Sequence, residues 1–169
     1  MSVSLDKGDG LTLEGGLRQV SVGLGWDIRQ GSGTDFDLDA VCFLLAHTDQ
    51  VRSDADFIFY NQRTSACGAV QHAGDNRTGA GDGDDEVITV DLASVPSDVT
   101  RIVFAVTIYQ AEQRRQSFWM VNSAFIRLVS QEDGHEIARF DLTNEGKDNS
   151  ALIFAQLHRV GAAWRFQAI

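Results

Sequence analysis

A chain of 169 residues, 43% hydrophobic and 22% charged, has the make-up of one folded unit with a sizeable core rather than a disordered chain. Fourteen Lys and Arg against twenty-four Asp and Glu leave a net charge of −10. That balance argues against nucleic acid or an anionic membrane face as the main partner and agrees with a cationic ligand.

The opening residues, "MSVSLDKGDG", lack an apolar core of signal-peptide length, and no later segment reaches the ~18 apolar residues of a membrane-spanning helix. Cys42 and Cys67 are the only cysteines and form no C-x-x-C pair. Two cysteines make no disulfide framework, so the expectation is a soluble cytoplasmic protein with no membrane insertion.

Along the chain, short runs rich in β-branched and aromatic residues follow one another: "QVSVGLGW", "DLDAVCFLL", "ADFIFYN", "EVITVDL", "TRIVFAVTI", "SAFIRLV", "EIARFDL", "ALIFAQLHRV" and "AWRFQAI". Several alternate with period two. In "TRIVFAVTI", Ile102, Phe104, Val106 and Ile108 share one face, as in a half-buried strand. Asp133-Gly134 and Gly161 sit between adjacent runs and predict tight hairpins. Only Gln110 to Asn122, "QAEQRRQSFWMVN", has helical habit, because good helix formers replace β-branched residues there. The pattern predicts a mainly β protein: an antiparallel β-sandwich with one or two short helices, a single domain over 1–169.

The charge is localised. Asp35, Asp37 and Asp39 open a strand and alternate onto one face, with Phe36, Leu38 and Ala40 on the other. The loop "GDNRTGAGDGDDE", Gly74 to Glu86, adds five acids relieved by Arg77 alone. Two unit charges about 4 Å apart repel by roughly 4 kcal/mol at an effective dielectric of 20. Water dilutes that cost on a solvated loop; otherwise a cation offsets it. The pairing of a glycine-rich loop with carboxylates at the start of a core strand favours the cation. Asp75, Asn76, Asp82, Asp84, Asp85 and Glu86 offer oxygen donors, and Gly79 and Gly81 let backbone carbonyls turn inward. An oxygen inventory without thiolates points to Ca²⁺ in preference to Zn²⁺ or Mg²⁺. The loop does not satisfy the EF-hand pattern.

Together, "VGLGWD", "DFDLDA", "VRSDADFIFYN", "GDNRTGAGDGDDE", "RRQSF" and "AFIRLV" resemble the TerD family of tellurite-resistance and stress-response proteins, with similarity from about Ser2 to the end. The resemblance implies a β-sandwich that holds two neighbouring Ca²⁺ ions without catalysis. Its ligands would come from Asp27, Asp35, Asp37, Leu38, Asp39, Asp75, Asn76, Gly79, Gly81, Asp82, Asp84, Asp85 and Glu86. Two alternatives stand beside it. One is an interaction module with a purely structural metal, docking onto other proteins of the stress system through Trp119 and Met120. The other is a metal-dependent phosphohydrolase, disfavoured because Arg77 is the one base near the loop and no P-loop, G-x-S-x-G or H-E-x-x-H occurs.

Overall fold

The computed structural model describes residues 1–27, 33, 35–74, 83–121, 123–142 and 147–169. Among them, twelve strands form two six-stranded sheets. The first, sheet A, runs in the order β1 (Val3–Leu5), β10 (Glu136–Asp141), β9 (Phe125–Ser130), β3 (Gln19–Gly25), β7 (Glu86–Asp91), β6 (Val70–His72). Sheet B follows as β2 (Gly10–Thr12), β12 (Ala163–Ala168), β11 (Ala151–Val160), β8 (Val99–Ile108), β4 (Leu38–Ala46), β5 (Phe57–Ile58). All pairings are antiparallel except β1 with β10. The mainly β, sandwich-like architecture read from alternation is therefore present.

The core lies between the sheets. Val20, Val22 and Leu24 of β3 and Ile88 and Val90 of β7 face Leu38, Cys42 and Leu44 of β4 and Ile102, Phe104 and Val106 of β8 in one buried cluster. Burying an aliphatic or aromatic side chain of this kind contributes about 1.5–3 kcal/mol, which is why the period-two pattern fixes which face turns inward. Both expected hairpins form, with Gly134 at φ 74° and Gly161 at φ 62°, left-handed conformations that glycine adopts without strain.

Three strands escape the periodicity: β1, β2 and β6, each of three residues, too short to show alternation. The predicted helix over Gln110–Asn122 is corrected to a single turn, α1 (Ala111–Arg114), followed by a separate 3-10 turn at Phe118–Met120. Arg115 ends α1 by adopting a left-handed conformation (φ 53°, ψ 48°), while its amide and that of Gln116 close onto the carbonyls of Glu112 and Ala111. Beyond it, the Phe118 and Trp119 amides donate to the carbonyls of Asn149 and Lys147, so tertiary partners replace helical ones. No helix among the described residues is long and apolar enough to cross a membrane.

Candidate metal centre

The alternation in "DFDLDA" holds. Phe36, Leu38 and Ala40 enter the core, and Asp37 and Asp39 take the other face, yet each is only 5% exposed. Buried carboxylates are costly without compensating partners, which marks this strand start as a place built for charge. Its backbone is held from the α1 segment. The Tyr109 amide donates to the Asp37 carbonyl at 2.8 Å, and the Gln116 amide group and Arg114 guanidinium each reach the Asp35 carbonyl at 3.3 Å. Asp35 itself is exposed.

Glu86 brings the second acidic segment to the first. In register with Leu24, it turns into the sandwich, where it is 1% exposed. One carboxylate oxygen, Oε2, accepts from the backbone amide of Ala40, the residue after Asp39, at 2.5 Å. The Glu86 side chain thus reaches from sheet A across to the aspartate strand of sheet B. His72 completes the contact. Its Nδ1 accepts from the Gly74 amide at 3.0 Å, and its Nε2 lies 3.5 Å from Glu86 Oε2.

The neighbouring acids point elsewhere. Asp85 Oδ2 accepts from the Trp26 amide at 2.9 Å, and the Trp26 indole donates to the Phe36 carbonyl at 3.2 Å, tying β3 to the start of β4. Burial pushes the Asp85 carboxyl up; the Trp26 amide opposes this, and the charges of Asp84 and Asp27 add to it. Asp84 lies on the outer face of sheet A, where Arg127 Nε donates to its Oδ1 at 2.7 Å. Gly23 makes room for it: a Cβ there would stand 2.3 Å from the Asp84 carboxyl carbon. Arg127, whose guanidinium also meets Glu136 at 3.4 Å, is held more firmly protonated, chiefly by the Asp84 hydrogen bond. Asp27 is exposed and lines a polar pocket of about 300 Å³ with Ser123, Phe125, Arg139 and Asp141.

Asp75, Asn76, Gly79, Gly81 and Asp82 lie outside the described residues. Among the described ones, no three His, Cys, Asp or Glu side chains converge as a ready metal cage. Asp37, Asp39 and Glu86, each with less than 6% exposure, stand at the starts of two strands, which the hydrogen bond from the Ala40 amide to Glu86 joins. The donor chemistry is hard oxygen, the kind a calcium ion takes, and Leu38 contributes its side chain to the core. Arg127, the counter-charge of Asp84, carries little sequence signal of that role. Its one signal was a lone arginine at the centre of an otherwise apolar strand, "AFIRLV".

A model of the TerD domain matches residues 1–169. The chain belongs to the TerD family. It is 53% identical over 172 residues to a tellurium resistance protein TerD of Alcaligenes sp., with all of this chain and 90% of the relative covered. It is 52% identical to the TerD protein of Serratia marcescens over the same coverage, and 44% identical over 173 residues to general stress protein 16U of Bacillus subtilis (strain 168), again covering 100% and 90%. In fold, it matches the crystal structure of a TerD homologue from Streptomyces coelicolor A3(2) with a TM-score of 0.74 over 90% of this chain and 88% of the other, at 22% identity. TerD membership makes this a stress-response-type protein.

Proposed function

We propose that this member of the TerD family is a non-catalytic calcium binder of the cytoplasm, acting in a tellurite-resistance and general stress system as one domain with two neighbouring ions. The observation that carries the reading is the junction of Glu86 with Ala40, which sets the end of the acidic loop against the strand that bears the buried Asp37 and Asp39. Two free cysteines support a reducing compartment.

Asp37, Asp39 and Glu86, with oxygens from the loop at Asp75, Asn76, Gly79, Gly81 and Asp82, would hold the metal. Calcium, when bound, would supply the positive charge that offsets these carboxylates. The protein's own residues do the rest. Glu86 spans the two sheets, Trp26 and Asp85 pin β3 to the strand start, and the α1 segment fixes the backbone of Asp35 and Asp37.

Calorimetric titration of chelator-stripped protein with Ca²⁺ tests the reading, repeated with Mg²⁺ and with Asp37→Asn. Two calcium events are expected, weakened by the substitution. At free calcium ~100 times the dissociation constant, folding gains about 2.7 kcal/mol, so the melting temperature rises with calcium and falls with EDTA. Melting curves indifferent to both would refute it. A second reading, an interaction module with a structural metal, is favoured by Trp119 at 67% and Met120 at 38% exposure, side by side on one turn. It expects partner binding to survive loop substitutions that leave the fold intact.

A further inference from the structure

Like charges set directly opposite each other on neighbouring strands work against a sheet unless something answers them. The outer face of sheet B carries such a row. Register places Arg101 of β8 opposite His158 of β11, and His158 opposite Arg165 of β12, with Leu45 and Thr12 at the two ends. All three basic side chains point outward, because Ile102, Leu157, Trp164 and Phe166 beside them turn into the core. In a chain of net charge −10, two arginines around a histidine invert the average surface.

Little on the protein answers these charges. Arg101 approaches Asp49 at 3.7 Å, but the two side chains are 40% and 63% exposed, so water screens the pair. Arg165 donates to the Gly10 carbonyl at 3.1 Å, which uses one of the five N–H groups that a guanidinium carries. The outward positions one row on, Val103, Gln156 and Gln167, are uncharged. His158 sits between the arginines. Burial, and then the charges of Arg101 and Arg165, push its imidazole below the usual range. Its Nδ1 is enclosed and meets no hydrogen-bond partner, so Nε2 is the ring edge left to meet a ligand.

Spacing sets the size of that ligand. Neighbouring strands lie about 4.8 Å apart, so the two arginine-bearing strands flank His158 at a separation of roughly 10 Å. Guanidiniums reaching inward from that spacing can close on one tetrahedral anion above the imidazole, and their forked donors match phosphate oxygens. A nucleic acid or a membrane surface would also meet the acidic remainder of the protein. A small anion feels only charges within about 8 Å at physiological salt. We propose that Arg101, His158 and Arg165 form a binding site for the phosphate group of a small molecule, either the free ion or a phosphomonoester. The site is separate from the acidic junction. Glu86 faces into the sandwich, and Thr107, the partner of Asp39, lies about 20 Å along β8 from Arg101 at the rise of a strand.

The test follows the imidazole resonance of His158 in the full chain, stripped of metal and dialysed free of chelator. Inorganic phosphate or acetate is titrated in at constant ionic strength, and His158→Gln identifies the resonance. Phosphate should shift the resonance and raise its titration midpoint by about one pH unit, because a nearby anion favours the charged ring. Arg101→Gln and Arg165→Gln should each weaken phosphate binding at least about tenfold, the effect of one lost charge-assisted contact. Arg139→Gln, which removes the same charge from the outer face of sheet A, should leave the affinity unchanged. Methyl phosphate binding as well as phosphate assigns the site to esters; its failure where phosphate binds assigns it to the free ion. Thermal melts confirm that the variants fold, and the contrast of phosphate with acetate in the wild-type chain decides without them. No response of His158 to phosphate, an equal response to acetate, unchanged affinity in either Arg101→Gln or Arg165→Gln, or an equal loss in Arg139→Gln would overturn the proposal. None of these results depends on whether calcium binds.

Discussion

Replacing Glu86 tests whether its carboxylate ties the two sheets together. The side chain is 1% exposed and accepts from the Ala40 amide across the sandwich. A hydrogen bond to a charged acceptor contributes about 1.5–3 kcal/mol, and losing it leaves a buried amide unpaired. Glu86→Ala also removes buried methylene, at about 0.8 kcal/mol per group. The expected loss is roughly 3–4 kcal/mol. Glu86→Gln keeps a carbonyl oxygen in place for Ala40 and gives up only the charge, for an expected cost under about 1 kcal/mol. Urea unfolding in EDTA separates the two, because bound cation then contributes nothing. With a slope of about 2 kcal/mol per molar urea, the midpoint of Glu86→Ala should fall by roughly 1.5–2 M while that of Glu86→Gln barely moves. Equal destabilisation by both substitutions would refute the tie, because the charge rather than the amide contact would then be what matters. Wild-type stability in both would refute it as well.

Two further outcomes follow from the same structure. Asp56, 2% exposed, accepts from the Arg52 amide, Nε and Nη2 at 2.7–2.9 Å, and the Arg52 hydrogen bonds hold its carboxyl below the usual range. Because the folded value is depressed, the stabilisation is full above about pH 4, the ordinary aspartate value, and is lost as pH falls through the folded value. Arg52→Ala should cost about 3 kcal/mol at neutral pH and flatten the acid limb of the stability profile below about pH 4; an unchanged acid limb would contradict the assignment. Burial pushes the Cys42 thiol up, whereas Cys67 is exposed. A thiol reagent should therefore modify one cysteine in the native protein and two after unfolding, and rapid native labelling of Cys67→Ser would count against the buried position of Cys42.

Much of this molecule was legible in its residues because the relevant information is local. Side-chain alternation in "DFDLDA" and "TRIVFAVTI" already separates inward from outward positions, and Gly134 and Gly161 mark hairpins by their tolerance of positive φ. The concentration of carboxylates near Asp39 and Glu86 is equally visible in one dimension. Alternation, however, says which way a side chain faces and nothing about what it faces. The Glu86–Ala40 contact joins residues 46 apart, and Asp84 finds Arg127 across 43. Those pairings depend on β7 lying next to β3, β3 next to β9, and β4 crossing over β7 in the other sheet. The basic row likewise needs β8, β11 and β12 in one order and register before Arg101, His158 and Arg165 can stand side by side. Helix propensity failed at Arg115 for the same reason: the backbone amides beyond it find better partners in the segment leading into β11 than in their own next turn. The sequence by itself determined the longer strands, their inward faces and where charge gathers, since those follow from each residue and its near neighbours. Only the tertiary structure decided which carboxylate meets which amide or arginine, because strand order is fixed by the whole core at once.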